Sequence, residues 1–208
     1  MRYFNSLPYL TANDNNGNIV ALKNLLIRTQ LIPQLAKNPL LFYAYSVQDG
    51  DTPEIIANKY YGDPFRFWIT LYGNPTILDP QADWPMSSQQ FLIYLNDKYG
   101  AVANGNVLSY TQGTIHHYEK TVTSVDGDSG TTAIKTVEID EPTYNLIIPS
   151  TVTKSFSNGT KITYTISTNA VSIYDYENKL NESKRNINII NSAYANQIES
   201  RYQTLVKA

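Results

Sequence analysis

Two aspartates flank a glycine in Gln48-Asp49-Gly50-Asp51, with Glu54 three residues further on. Paired carboxylates can do acid–base work on a glycosidic bond when they face each other across a substrate cleft. Turn chemistry followed by a helix start explains the same residues more simply, and Glu54 has no partner carboxylate that the sequence places. His116-His117 is the only histidine pair. Adjacent side chains on a strand point to opposite faces, so the two make a poor joint metal site, and no metal is expected. Asp126-Gly127-Asp128-Ser129-Gly130 lacks the ligand spacing of a calcium loop and reads as a hairpin tip. Trp68 and Trp84 could stack on sugar rings. Trp68 falls inside an apolar helical face and reads as core, which leaves Trp84, beside Asp83 and Pro85, as the better candidate for exposure, although packing is the first reading for it too. No phosphate loop, serine nucleophile motif or zinc-binding helix is visible, so the residues present no catalytic constellation.

The elements that carry these residues can be read in outline. The run Phe42-Tyr43-Ala44-Tyr45-Ser46-Val47 alternates like a short strand. Thr52 suits a helix N-cap and Pro53 the first helical position, while Glu54 sits at the positive end of the helix dipole. Ile56, Ala57 and Tyr60 share a face, and Gly62 ends the helix. Asp63-Pro64 starts a second helix with Phe67, Trp68 and Leu71 on its apolar side, stopped at Gly73-Asn74-Pro75. Ser87 is expected to cap a helix over 88–99, with Phe91, Leu92, Leu95 and Tyr99 on one side. Upstream, residues 1–10 read as an aromatic arm, 11–18 as a polar turn, and 19–32 as a short helix running into a strand near 27–32. Downstream, 101–172 is rich in Thr, Val, Ile, Ser and Gly, with turn signals at Asp126-Gly127 and Asn158-Gly159, and reads as an antiparallel β-region with a mobile loop at 126–132. Residues 175–185 are helix-compatible and 186–190 extended. Ser192 is expected to cap a last helix over 193–206, with Tyr194, Ile198, Tyr202 and Leu205 as a narrow apolar stripe. The expected division is an N-terminal arm (1–40), a core (41–100), a β-rich region (101–172) and a C-terminal helical segment (173–208).

Composition bounds the function. The chain has 208 residues, 42% hydrophobic, enough for one sizeable domain or two small ones. Its net charge of −2 and 16% charged residues give no basic field, so no nucleic-acid partner is expected. There is no cysteine for a disulfide or a thiolate metal site. No apolar run approaches membrane-spanning length, and Met-Arg-Tyr-Phe-Asn-Ser-Leu-Pro-Tyr-Leu lacks the apolar region of a secretory signal, so neither a membrane site nor export is expected. The 17 tyrosines suit sheet packing or an interface.

A strand, a Gly-Asp turn and two short helices within 45–74 resemble the front of a LysM module. Its G-D-T-x-x-x-I-A-x-x-Y pattern is met by Gly50, Asp51, Thr52, Ile56, Ala57 and Tyr60, and the Asn that follows the second helix by Asn74. LysM modules usually bind N-acetylglucosamine polymers such as peptidoglycan, and the fold is also borrowed for protein contacts. The pattern departs at Pro53, where LysM prefers leucine. It departs again at 88–99, where a helix stands in place of the module's second strand.

The longer stretches resemble the gene-53-type baseplate wedge proteins of contractile-tailed phages, in a form like those of T-even-related cyanophages. The likeness is sharpest at Tyr60-Tyr61-Gly62-Asp63-Pro64, at Trp68-Ile69-Thr70-Leu71-Tyr72-Gly73-Asn74, and at Ile77-Leu78-Asp79-Pro80 followed by Asp83-Trp84-Pro85-Met86. It returns at Tyr174-Asp175-Tyr176-Glu177-Asn178, at Asn181-Glu182-Ser183-Lys184-Arg185 and in the final helix. It is weakest over 105–170. The resemblance implies a non-enzymatic virion protein of the tail baseplate that needs no cofactor and takes no small-molecule substrate, α+β in class, with a LysM-like core, an added helix, an antiparallel β-hairpin region and a C-terminal helix. It implies as partners the iris-forming wedge dimer, the sheath-initiating wedge protein and neighbouring wedges. Aromatic residues at chain ends that cannot build a core alone make Tyr3, Phe4, Trp84, Tyr174, Tyr194, Ile198 and Tyr202 the expected partner-binding residues. The alternative is a LysM-type peptidoglycan-binding module.

Overall fold

The computed structural model describes residues 3–27, 29, 31 and 37–206. Among them the chain is mixed α+β, with seven α-helices and three antiparallel sheets, one of four strands and two of two. The chain divides into two compact units. One joins Met1–Ser88 to Asn181–Ala208, and the other is Gln89–Leu180.

The first unit opens with a 3-10 turn, Tyr3–Ser6, and a hairpin of β1 (Tyr9–Asn13) and β2 (Ile19–Lys23). Tyr9 lies opposite Lys23 and Asn13 opposite Ile19. The Asp14 carboxylate closes the turn by accepting from the backbone N–H of Asn16 and Asn18 at 2.9 and 2.8 Å. The arm expected over the first ten residues is thus partly strand, and the helix expected from Ile19 is a strand over its first five residues. Ile19-Val20-Ala21-Leu22-Lys23 is too short to fix a period, and the turn ahead of it lays it against β1. Of the strand expected near 27–32, residues 28, 30 and 32 lie outside the described residues, and 27, 29 and 31 are not in a strand.

The centre of this unit is β3 (Phe42–Ser46), α1 (Pro53–Tyr61) and α2 (Phe67–Tyr72). The Thr52 hydroxyl accepts from Ile55 N–H at 3.3 Å, which caps α1. Gly62 ends α1 at φ 68°, a left-handed conformation that glycine adopts without steric cost. The partner of β3 comes from far along the chain. Strand β8 (Asn186–Ile190) runs antiparallel to it, with Phe42 opposite Ile190 and Ser46 opposite Asn186. The last helix, α7 (Ala195–Leu205), follows a 3-10 turn whose cap is Asn191 rather than Ser192: the Asn191 side chain accepts from Ala193 N–H at 3.0 Å.

The core draws on both ends of the sequence. Val47, Ile56, Ala57, Trp68 and Ile69 pack with Ile187, Ile189, Ile190, Ala195 and Tyr202. Ile56, Ile69, Ile189 and Ile190 are fully buried, each contributing about 1.5–3 kcal/mol relative to exposure. Polar groups lock the same junction. The Tyr61 hydroxyl donates to Ile190 O at 2.9 Å. Asn74 Nδ2 donates to Thr70 O and Asn188 O at 2.9 and 2.8 Å, and Asn74 Oδ1 accepts from Asn188 N–H at 2.8 Å. One side-chain amide thereby bonds β8 as a neighbouring strand would, at the end of α2. A Cβ on Gly73 would sit 2.7 Å from Asn188 O, so the backbones approach too closely here for any other residue.

The second unit takes in most of α3 (Ser88–Tyr99), then α4 (Val107–Gly113), a four-stranded sheet and most of α6 (Ile173–Ser183). The sheet has the order β5-β4-β7-β6, built from β4 (Ile115–Asp126), β5 (Thr132–Ile139), β6 (Ser150–Ser155) and β7 (Lys161–Ser172), all antiparallel. This agrees with the β-region and both turns expected from sequence. Helices α4 and α5 (Glu141–Leu146) were not expected. Each is capped from the preceding side chain, Asn106 accepting from Ser109 N–H and Asp140 from Thr143 N–H.

Candidate functional site

The carboxylates of the Gly-Asp turn are engaged in building the first unit. Asp51 accepts from the Tyr45 hydroxyl at 2.6 Å and from Gln48 N–H at 3.0 Å. Asp49 accepts from both the backbone N–H and the hydroxyl of Ser88, at 2.9 and 2.8 Å, and these bonds hold its carboxyl below the usual carboxylate range. Glu54 is exposed in the first turn of α1. The segment 79–86 is shaped in the same way. Asp83 accepts from Leu78 and Asp79 N–H at 2.8 and 2.9 Å, and the Asn181 amide brackets Met86, accepting from its N–H at 2.7 Å and donating to its carbonyl at 3.1 Å.

The histidines depart from expectation. The register slips between Ile115 and His117 where β4 pairs with β7, and this bulge removes the strict alternation that would have set the rings on opposite faces. The two Nδ1 atoms lie 2.8 Å apart, His116 stacks on Tyr176 with ring centres 3.8 Å apart, and His117 Nε2 is 3.2 Å from Glu119. Among the described residues no group of three or more His, Cys, Asp or Glu is placed to hold a metal ion.

The aromatic residues expected to face partners separate into two sets. Trp84 and Tyr202 are interior. Trp84 is 8% exposed and donates its indole N–H to Asp51 O at 2.8 Å. Tyr202 is 2% exposed, and burial raises its hydroxyl pKa well above the ordinary tyrosine value. Tyr3 stacks on Tyr202 with ring centres 4.7 Å apart and lies 5.5 Å from Trp68, so it closes the core. Tyr174 is half-buried and meets Phe91 edge-on at 5.6 Å in the second unit. Phe4, at 54%, and Tyr194, at 39%, remain exposed, and Ile198 is half-buried. Of the expected set, Tyr194, Ile198 and Tyr202 do come together. With Leu41, Tyr72 and Leu205 they line an apolar groove of about 510 Å³, with Arg201 also in its wall.

Two polar clusters were missed in the sequence. Arg66 forms a two-pronged pair with Glu199 at 3.1 and 3.0 Å and donates to Asn196 Oδ1 at 2.7 Å, fixing α7 to the turn before α2. In the second unit Glu177 is 3% exposed. It accepts from Tyr94 OH at 2.9 Å, Lys98 Nζ at 2.6 Å and Tyr99 OH at 2.6 Å. Burial pushes this carboxyl up, the three donors more than offset it, and the net shift is downward. The i, i+4, i+5 spacing of Tyr94, Lys98 and Tyr99 was the available signal: it sets three donors close together on α3.

No protein-family model and no curated protein matches the chain.

Proposed function

We propose that this chain is a non-enzymatic structural subunit of a contractile-tailed phage baseplate wedge, with a LysM-like core in its first unit. The observation that carries this reading is the way most of the sequence likeness maps onto one core. The stretches 45–86 and 181–205, which resemble the wedge family, meet in a single β-α-α-β arrangement in which β8 pairs with β3, while a shorter resembling stretch, 174–178, lies in the second unit. In this reading β8 stands where a LysM module has its second strand, and it comes from beyond an intervening segment of the chain. The Asp49, Asp51, Asn74 and Asp83 side chains, which could have been ligand-binding, all hold backbone or side-chain groups of this core. In this reading the first unit is a rigid peg. Its exposed aromatic and apolar groups, Phe4, Tyr194 and Leu205 among them, are offered to the iris-forming wedge dimer, the sheath-initiating wedge protein or an adjacent wedge. Ring symmetry raises the effective concentration of each contact, so modest pairwise affinity is sufficient.

The test is a pull-down of the tagged full chain from a lysate of infected host cells, read by mass spectrometry. Other tail-baseplate proteins in fixed ratio are expected. Murein fragments without those proteins would replace this reading with a peptidoglycan-binding module, and recovery of neither would overturn it.

A further inference from the structure

The pairing registers of the four-stranded sheet fix which side chains share a face. Lys120, Val122 and Ser124 of β4 stand level with Val137, Lys135 and Ala133 of β5. On the other side they stand level with Thr168, Ile166 and Tyr164 of β7, and the last two with Ser150 and Val152 of β6. Ile162 and Lys154 complete the same face. It is therefore an apolar field of Val122, Val137, Val152, Ile162, Tyr164 and Ile166 set with three lysines. The opposite face is different in kind. Thr121, Thr136, Thr151, Thr153, Thr163 and Thr165 lie there and pair their hydroxyls across strands at 3.0–3.2 Å, with Glu119 and Glu138 at one end.

The apolar face is open over much of its area. Helix α5 meets it at one end, where Tyr144 packs on Tyr118 with ring centres 4.5 Å apart. Beyond that end Val137 is 40% and Val152 51% exposed. Its cations are not neutralised within the chain: among the described residues Lys120, Lys135 and Lys154 form no ion pair, and Lys154 lies over the Tyr164 ring at 5.6 Å. Asp126 also stands on this face, at its turn end, where its carboxylate accepts from the N–H groups of Asp128 and Ser129, so the charges left without a partner are the three lysines, and these select the occupant. A second copy of the same face would set lysine against lysine, at a cost in like-charge repulsion. A nucleic acid would gain the lysines and meet a field of aliphatic side chains, on a chain whose net charge is −2.

We propose that this face, built on Val122, Val137, Val152, Tyr164 and Ile166 with Lys120, Lys135 and Lys154, binds a protein segment that is apolar on one side and acidic at its margins. The proposal deepens the assembly reading and rests on it for the partner being another tail subunit.

The experiment compares the purified full chain with purified tail particles. In each, lysines are acetylated and separately coupled to carboxylates with a zero-length carbodiimide, and the peptides are read by mass spectrometry. Acetylation of Lys120, Lys135 and Lys154 is expected to fall at least tenfold in particles relative to Lys161, which stands on the threonine face. At least two of the three are expected to couple to Asp or Glu of one other protein. Coupling between two copies of this chain, protection relieved by nuclease, or unchanged reactivity would each overturn the proposal while leaving the assembly reading standing. Absence of the chain from tail particles would overturn both. A K120E/K135E/K154E variant that keeps the wild-type circular dichroism and melting temperature is expected to enter particles at least tenfold less than a K59E/K161E control; equal entry would overturn the proposal.

Discussion

Asn74 replaces a strand neighbour with a single carboxamide, and its three bonds are satisfied by backbone groups of α2 and β8. Replacing it with alanine leaves the buried Thr70 carbonyl and the part-buried N–H and carbonyl of Asn188 underbonded. We expect a loss of about 2–3 kcal/mol in urea unfolding, with Asn74→Asp little better because both donors are lost. Thr52→Ala, which removes only a cap at the surface, is expected to cost about 1 kcal/mol in the same assay. Glu177 adds a pH dependence. Its folded pKa is lowered, so the stability it contributes is present above the ordinary carboxylate value and is lost as pH falls through the folded one. Glu177→Gln is expected to destabilise the second unit by about 1–3 kcal/mol at pH 7 and to flatten the decline of its melting temperature between pH 5 and pH 3. An unchanged acid limb would show that other carboxyls control it. The role of Asn74 was only half legible: its place after the second helix was visible, but its partner Asn188 is more than a hundred residues away.

At the scale of elements, much of what is written locally was readable, although α4 and α5, short helices capped by the side chains just before them, were missed. The cap and stop of α1 at Thr52 and Gly62, the helix α3 and the two glycine turns of the sheet each depend on neighbours a few residues apart. What depends on a distant partner was not. Residues 186–190 could be read as extended, but nothing in Asn-Ile-Asn-Ile-Ile names β3 as its mate, and β2 was mistaken for helix because its alternative, pairing with β1, is not a property of its own five residues. The bulge at His116 and the burial of Tyr202 were hidden for the same reason. That burial also changes how α7 should be tested. Tyr202→Ala removes a side chain from the core and is expected to cost about 3–5 kcal/mol, so it reports on folding. The double variant Tyr194→Ala/Ile198→Ala spares it, and is expected to keep the circular dichroism spectrum while reducing recovery of baseplate proteins in the pull-down.

For the whole molecule, the core cluster of the first unit contains no residue from 89–180. The two ends of the intervening segment start close together, since Asn181 holds both the N–H and the carbonyl of Met86. Replacing 89–180 with a short Gly-Ser linker is therefore expected to leave a folded unit with the β3–β8 amide protection pattern intact in hydrogen exchange. A chain cut after residue 180 is expected to lose that protection entirely. Pairing β3 with β8 also sets a clock on the newly made protein. Strand β3 and its two helices emerge from the ribosome with their apolar faces uncovered and must wait for β8 while more than a hundred residues are added, roughly 5–20 s at bacterial elongation rates. Uncovered apolar surface of this kind is prone to aggregate while it waits. The core is not closed until residues 186–206 have been made, so a ribosome that stalls or stops before them releases a chain whose β3 has no partner strand.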